Sequence, residues 1–311
     1  MKGGGKRSKE RLERLTTEKA NPASRELDRM AALEIVRLIN QEDAKVAGAV
    51  APALPQIAKA IDWIVSGLNR GGRLIYVGTG TSGRIAALDA VECPPTFNTD
   101  PRTVQFVMAG GLKALVAATE ASEDSRSLGE REIAKRKPGK NDVVVGVAAS
   151  GRTPFTVAAV AYARRRGAKT VAVTCNRNSP LEKASHLAIV TQVGPEVLAG
   201  SSRMKAGTAQ KMVLNMLSTG AMIRAGRVYG NLMVDLHLKN KKLRERGIRN
   251  VARITGRPRR TATRALLTAG SVPVAIVMMQ ADVSKKAAER ALQATGRNVR
   301  LAVARARGER S

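Results

Sequence analysis

The sequence predicts an α/β fold: a doubly wound parallel sheet of about five strands, with N-terminal helices and a small C-terminal helical domain. Two observations carry this. Apolar runs at 73–78, 103–108, 142–148, 169–174 and 187–191 alternate with helical spacings at 84–92, 112–121, 155–166 and 180–185. Runs such as Val143-Val-Val-Gly-Val147 are apolar throughout, as expected of parallel strands buried on both faces.

Taken in order, residues 1–22 read as a basic flexible arm. Residues 27–40 place Leu27, Met30, Leu33, Val36 and Leu38 at helical spacing, and 46–69, broken at Pro55, continue through Ile57, Ile61 and Ile64. Residues 23–256 form one domain with flanking helices, its core at about 64–227. Met204 to Arg224 is a long helix, and Tyr229 to Asp235 an irregular connection. Short helical segments follow, separated by Gly247, Gly256, Gly270 and Gly296. The expected boundary of the C-terminal domain, 257–311, lies near Gly256-Arg-Pro258.

Leu74-Ile-Tyr-Val-Gly-Thr-Gly-Thr-Ser-Gly-Arg84 runs an apolar strand into glycines and hydroxyls, and then into a helix. Such a loop delivers backbone N–H groups and a helix N-terminus to an anion, so it reads as a phosphate cradle. Its Gly78-x-Gly80-x-x-Gly83 spacing also fits a dinucleotide fingerprint, which needs an acidic residue ending the next strand to hold the ribose. That run, Thr103 to Met108, ends in Ala109-Gly110-Gly111, so NAD is rejected. A second strand leads into Ser150-Gly-Arg-Thr-Pro154, with proline where a first-turn proline belongs, and Gly200-Ser-Ser-Arg-Met-Lys205 opens a third helix. Any one of these hydroxyls could be an ordinary N-cap. Three such loops, two of them following strands of one sheet, favour a joint phosphate site of Thr81, Ser82, Ser150, Thr153, Ser201 and Ser202. Arg84, Arg152 and Lys205 lie nearby but are equally explained as surface charges.

With 311 residues the chain can bury a sizeable core, and with 2% aromatic residues that core is built from aliphatic side chains. No apolar run is long enough to cross a bilayer, and the charged N-terminus has no apolar segment behind it, so a cytoplasmic location is expected. Cys93, Cys175, His186 and His237 do not fall at zinc spacing; no metal is expected. The net charge of +29 is uneven. Residues 1–22 hold seven basic and three acidic side chains, and 257–311 hold twelve and three. Weak, non-specific binding of a polyanion through these tails is one implication; a solvated surface is the plainer one.

Among the carboxylates, Glu92 follows the first loop, and Cys93-Pro94-Pro95 is expected to stop that helix. A carboxylate beside a phosphate site suggests action on the ligand, against the plainer reading of a surface glutamate. Glu120 and Glu123 are expected one turn apart on one helix face; spacing does not choose between them.

Several long motifs, in order, carry a family resemblance: Asn21-Pro-Ala-Ser24, Leu33 to Asp43, Gly78 to Arg84, Glu92-Cys-Pro-Pro-Thr-Phe97, Ala148 to Pro154, Gly200 to Lys211, and Asn231-Leu-Met-Val-Asp235. From about 15 to 256 the chain resembles the bacterial N-acetylmuramic acid 6-phosphate etherases, and its tail more loosely resembles their ubiquitin-associated-like helical domain. The resemblance implies a sugar-isomerase-type domain, a sugar-phosphate ligand, a homodimer, and no metal or nucleotide cofactor. It implies cleavage of a lactyl ether, with Glu92 as proton donor and Glu123 as the second acid. Val91 stands where the family usually has serine, and Cys175-Asn-Arg-Asn-Ser179 departs from the usual Cys-Asn-Pro-Gly-Ser. A rival reading is a non-catalytic sugar-phosphate-sensing regulator. Such proteins are either twice this length or carry a helix-turn-helix module, and residues 1–69 show no such module.

Overall fold

In a computed structural model the chain is described over residues 15–117, 122–236, 238 and 241–308. Five parallel strands form the central sheet: β1 (Leu74–Gly78), β2 (Val104–Met108), β3 (Val143–Val147), β4 (Lys169–Thr174) and β5 (Leu187–Val190), in the order β2-β1-β3-β4-β5. The chain reverses direction of winding between β1 and β3, which are paired from Leu74↔Val143 to Gly78↔Val147. Ligands of such sheets bind beyond the carboxyl ends of the strands at this switch point.

Period-two alternation sorts the strand side chains between two helical layers. Leu74 and Tyr76 of β1 pack with α3 (Leu54–Asn69), α4 (Gly80–Phe97) and α8 (Lys205–Arg224), whereas Ile75 and Val77 face α5 (Arg126–Ala134), α6 (Pro154–Arg165) and α7 (Pro180–Ala184). A buried carboxylate pins the first layer. Asp89 of α4 accepts from the Tyr76 hydroxyl at 2.8 Å, the Asn215 amide at 2.7 Å and the Ser218 hydroxyl at 3.0 Å. Three donors satisfy a group that burial pushes toward its neutral form.

The structure differs from the sequence expectation in several places. The α4 helix does not stop at Cys93 but carries Pro94 and Pro95 on to Phe97. Both prolines lie in its last turn, so the ladder loses two N–H donors just before the helix ends, and Asn98, in the left-handed region at φ 51°, closes it. No helix spans 112–121 among the described residues: Gly110 and Gly111, both with positive φ, lead into a short 3₁₀ turn at Gly111–Leu115, and α5 begins at Arg126 behind a Ser125 cap. Glu123 therefore lies in a turn before α5, and Glu120 falls outside the described residues. Tyr229 to Asp235 contains a small antiparallel hairpin, β6 (Val228–Tyr229) with β7 (Leu232–Met233).

Part of the segment expected to be a flexible arm is ordered against the domain. Residues 1–14 lie outside the described residues, but 15–22 are fastened to the sheet. The Thr16 N–H donates to the Asn176 side chain at 2.9 Å, Asn176 donates to the Thr17 hydroxyl at 3.2 Å, and the Asn21 amide donates to the Pro195 carbonyl at 3.2 Å. A strap thus crosses beyond β4 and β5. Upstream of β1, α1 (Ala32–Asp43), α2 (Val46–Val50) and α3 complete the N-terminal helices.

The C-terminal helical unit begins before the expected 257 boundary. Residues Val234, Leu238, Ile248 and Val251 share one apolar core with α10 (Arg259–Ala269), α11 (Val272–Ala281), α12 (Lys285–Ala294) and α13 (Val299–Ala306), so α9 (Lys241–Thr255) belongs to this unit. Gly247 does not break α9; an added Cβ there would lie 3.0 Å from Leu238 and 3.1 Å from Val272, so glycine permits close packing. Buried Asp235 fastens the unit to the α/β domain, holding Arg227 at 2.8 Å and Arg297 at 2.7 Å while accepting from Asn98 at 3.3 Å.

Candidate active site

Because Gly78 of β1 is paired with Val147 of β3, the loops after the two strands leave the sheet side by side. The first enters α4 directly at Gly80, whose φ of +50° requires glycine-like freedom. Thr81 and Ser82 occupy its first turn, half-buried, with unbonded helix-start N–H groups around them. The second loop turns at Gly151, φ +67°, where a Cβ would come within 2.4 Å of the Ser179 hydroxyl. That tight turn presents Ser150, which accepts from the Arg152 N–H at 3.2 Å, and Thr153, the residue preceding α6.

The third cluster joins the first. Ser82 donates to Gln210 of α8 at 2.9 Å, and a Cβ on Gly207 would lie 3.6 Å from Thr81 and 3.7 Å from the Ser202 carbonyl. Thr81, Ser82 and Ser202 therefore surround the adjoining first turns of α4 and α8, with Ser201 in the turn before them. The α8 N-terminus itself is already occupied. Buried Glu196 accepts from the N–H groups of Lys205 at 3.0 Å and Ala206 at 2.9 Å. Burial raises the Glu196 carboxyl above its ordinary value, and the two amide donors partly offset it. This leaves the starts of α4 and α6 as the N–H donors for an anion.

Glu123 stands at the mouth of this arrangement. The Thr79 hydroxyl donates to its carboxylate at 3.0 Å, and the Phe155 N–H donates to its backbone carbonyl at 3.0 Å. A Cβ on Gly80 would be 3.1 Å from its Oε1, so the missing side chain makes the room that the carboxylate uses. One carboxylate is thus anchored between the β1 loop and the start of α6. Glu92 is elsewhere. It is exposed on α4, twelve residues beyond Gly80, which at helical rise is about 18 Å away. Within one chain the two glutamates cannot meet on one sugar.

The neighbouring cations have separate tasks. Arg84 donates to the Leu115 and Ala117 carbonyls at 3.2 and 3.1 Å and so holds the segment before Glu123. Lys205 is buried in an ion pair with Glu42, which also pairs with Lys45. Burial alone would raise the Glu42 carboxyl; the two ammonium groups outweigh it and hold it at about 2. Burial pushes both the Cys93 and the Cys175 thiol up to about 12, so neither is a nucleophile at neutral pH. A cleft of about 870 Å³ opens at the opposite end of the sheet. Its guanidinium groups are already paired, Arg73 with Asp142, Arg102 with Asp100 and Arg227 with Asp235, so it offers little to an anion.

Residues 137–220 match the SIS domain family, and residues 56–164 match the glucokinase regulatory protein N-terminal SIS domain. Across nearly the whole chain, similarity extends to N-acetylmuramic acid 6-phosphate etherase of Symbiobacterium thermophilum, 57% identical over 274 residues, 88% of this chain and 91% of that one. The chain belongs to the N-acetylmuramic acid 6-phosphate etherase family. The etherase of Streptomyces avermitilis is 51% identical over 296 residues, covering 95% of both chains. Among solved structures, a phosphoheptose isomerase from Francisella tularensis matches 63% of this chain and 100% of its own at 18% identity, with a TM-score of 0.48. Etherase-family membership thus takes in the helical unit as well as the α/β domain, whereas the regulatory-protein match covers only the first loops and their strands.

Sequence reasoning missed the strap at 15–22, Glu196, Gln210 and the Glu42–Lys205 pair. The strap, Gln210 and the Glu42–Lys205 pair act across long sequence separations, 163 residues for the last, and Glu196 bonds across an irregular loop, so no periodic pattern announces them.

Proposed function

We propose that this chain cleaves the D-lactyl ether of N-acetylmuramic acid 6-phosphate, giving N-acetylglucosamine 6-phosphate and D-lactate. The observation that carries the chemistry is Glu123, a carboxylate anchored by Thr79 at the edge of a phosphate-type loop. The ring-opened sugar has an aldehyde at carbon 1, which acidifies the proton on carbon 2. Glu123 takes that proton, the carbon 3–oxygen bond breaks, and a carboxylic acid, Glu92, protonates the departing lactate oxygen. Glu92, now ionised, takes a proton from water as the hydroxyl adds to carbon 3, and Glu123 returns its proton to carbon 2, so both groups regain their starting states. Two carboxyl groups with separated pKa values suffice, each worth about 10²–10⁴-fold.

Since Glu92 lies about 18 Å along α4 from the loop that Glu123 touches, its role requires a second copy of the chain. Leu88 and Val91, 54% and 55% exposed, flank Glu92 on the helical layer that also carries α3 and α8. An apolar groove of Leu54, Ile57, Ile61, Met212 and Met216 runs between α3 and α8. We take this layer as the face of a homodimer that carries Glu92 of the partner to the hydroxyl loops. The two free, buried cysteines suit the reducing cytoplasm, where we place the reaction.

Incubation of the substrate in oxygen-18 water tests the reaction: label should enter carbon 3 of the product, and unlabelled product there would exclude elimination and hydration. For the phosphate site, Ser82→Ala and Ser150→Ala should each raise KM more than they lower kcat, because the phosphate does not react. The reverse pattern would remove these hydroxyls from a purely binding role.

A further inference from the structure

The charge that sequence assigned to two tails is concentrated, once α9 is counted, in the C-terminal helical unit. Residues 241–308 hold seventeen basic and three acidic side chains, nearly half of the net +29 in 68 residues. A chain-wide preference for arginine would have spread that charge evenly. Of the three acids, Glu245 pairs with Arg259. Five arginines, Arg249, Arg253, Arg257, Arg260 and Arg264, recur every three or four residues across the end of α9, the turn and the start of α10. All five are exposed, and among the described residues none makes an ion pair. Their intervening neighbours Val251, Ala262 and Leu266 are buried in the unit's core, which directs the arginines outward. Like charges at i,i+4, as in Arg249/Arg253 and Arg260/Arg264, repel one another, and only an external anion relieves them.

We propose that this α9–α10 corner docks on the phosphate backbone of double-stranded nucleic acid. Duplex DNA presents about one charge per 1.7 Å of its axis, a dense and regular complement to a row of guanidinium groups. The unit contains no phenylalanine, tyrosine or tryptophan. It therefore offers no aromatic platform of its own on which unpaired bases could stack, unlike the common single-strand binders. Binding through backbone contacts alone is sequence-independent and salt-sensitive, and it leaves the hydroxyl loops of the α/β domain free.

The test uses the full-length chain and a variant with Arg253→Gln, Arg257→Gln, Arg260→Gln and Arg264→Gln. Fluorescence anisotropy with a short labelled DNA duplex is followed as salt is raised. Wild type should bind at low salt with a steep dependence of log Kd on log salt. In the variant the slope should fall by about 0.9 for each arginine in contact. Thermal unfolding and D-lactate release should be unchanged, showing that only the surface was altered. Equal slopes for the two proteins, or no duplex binding by wild type at low salt, would overturn the proposal. So would tighter binding of a single strand of equal length, or of a sulfated polysaccharide at equal charge concentration.

Discussion

Glu123→Gln is expected to lower the rate of D-lactate release by about 10²–10⁴-fold, the usual contribution of a single general acid–base group. The amide keeps the shape and can still accept from Thr79, so phosphate-ligand affinity should change little. Glu92→Gln should be similarly inactive. The two dead proteins should nevertheless rescue each other. In a two-fold dimer whose sites each take Glu123 from one chain and Glu92 from the other, a mixed dimer has one site with both acids intact. Co-refolding equal amounts should recover about a quarter of wild-type activity if chains assort at random. Failure of either single variant to lose more than a few-fold in kcat would remove that glutamate from the chemistry. Inactive singles with no rescue, in a preparation shown by sedimentation to contain mixed dimers, would refute the shared site while leaving the reaction untouched.

The second large effect concerns stability. Lys205→Met should cost about 3–5 kcal/mol, because it strips a buried carboxylate of its buried partner. That corresponds to a fall in Tm of roughly 6–20 °C for a chain of this size. The double variant Glu42→Leu with Lys205→Met should recover most of the loss, since a buried pair replaced by apolar groups of similar volume is often neutral. Acid sharpens the comparison. Glu42 is held at about 2, below its ordinary 4.5, so its contribution is complete above pH 4.5 and fades as pH falls toward 2. The gap in Tm between wild type and Lys205→Met should therefore be full at pH 6 and narrow steadily below 4.5. A gap unchanged between pH 6 and pH 3 would show that the Glu42 charge is not what Lys205 stabilises.

Most of the sheet was legible in the sequence because parallel strands are written locally, as apolar runs between helical spacings. The hydroxyl loops were legible for the same reason: glycine at 80 and 151 is forced by local backbone geometry. What was not legible depends on length and on distance. Nearness of Glu92 to the phosphate loop in the sequence becomes remoteness in space, because a rigid helix adds about 1.5 Å per residue. Glu123 was expected on a helix face, yet it is a turn residue whose position is set by Thr79 and Phe155, 44 and 32 residues away in sequence. Helix α9 joined the C-terminal unit because Ile248 and Val251 found their apolar neighbours downstream, a choice that the Gly256-Arg-Pro258 break conceals.

The strap at 15–22 bears on the order in which the molecule is assembled during synthesis. Thr16 is bonded to Asn176, 160 residues further along. On a ribosome adding about 5–20 residues per second, that partner emerges roughly 8–32 s after Thr16 does. Residues 15–22 must therefore wait for β4 before they can settle. Helices α1 to α3 and strand β1 are made in the meantime with the carboxyl end of the sheet still uncovered. A segment made some 160 residues ahead of its partner is thus held open through most of the synthesis of the sheet.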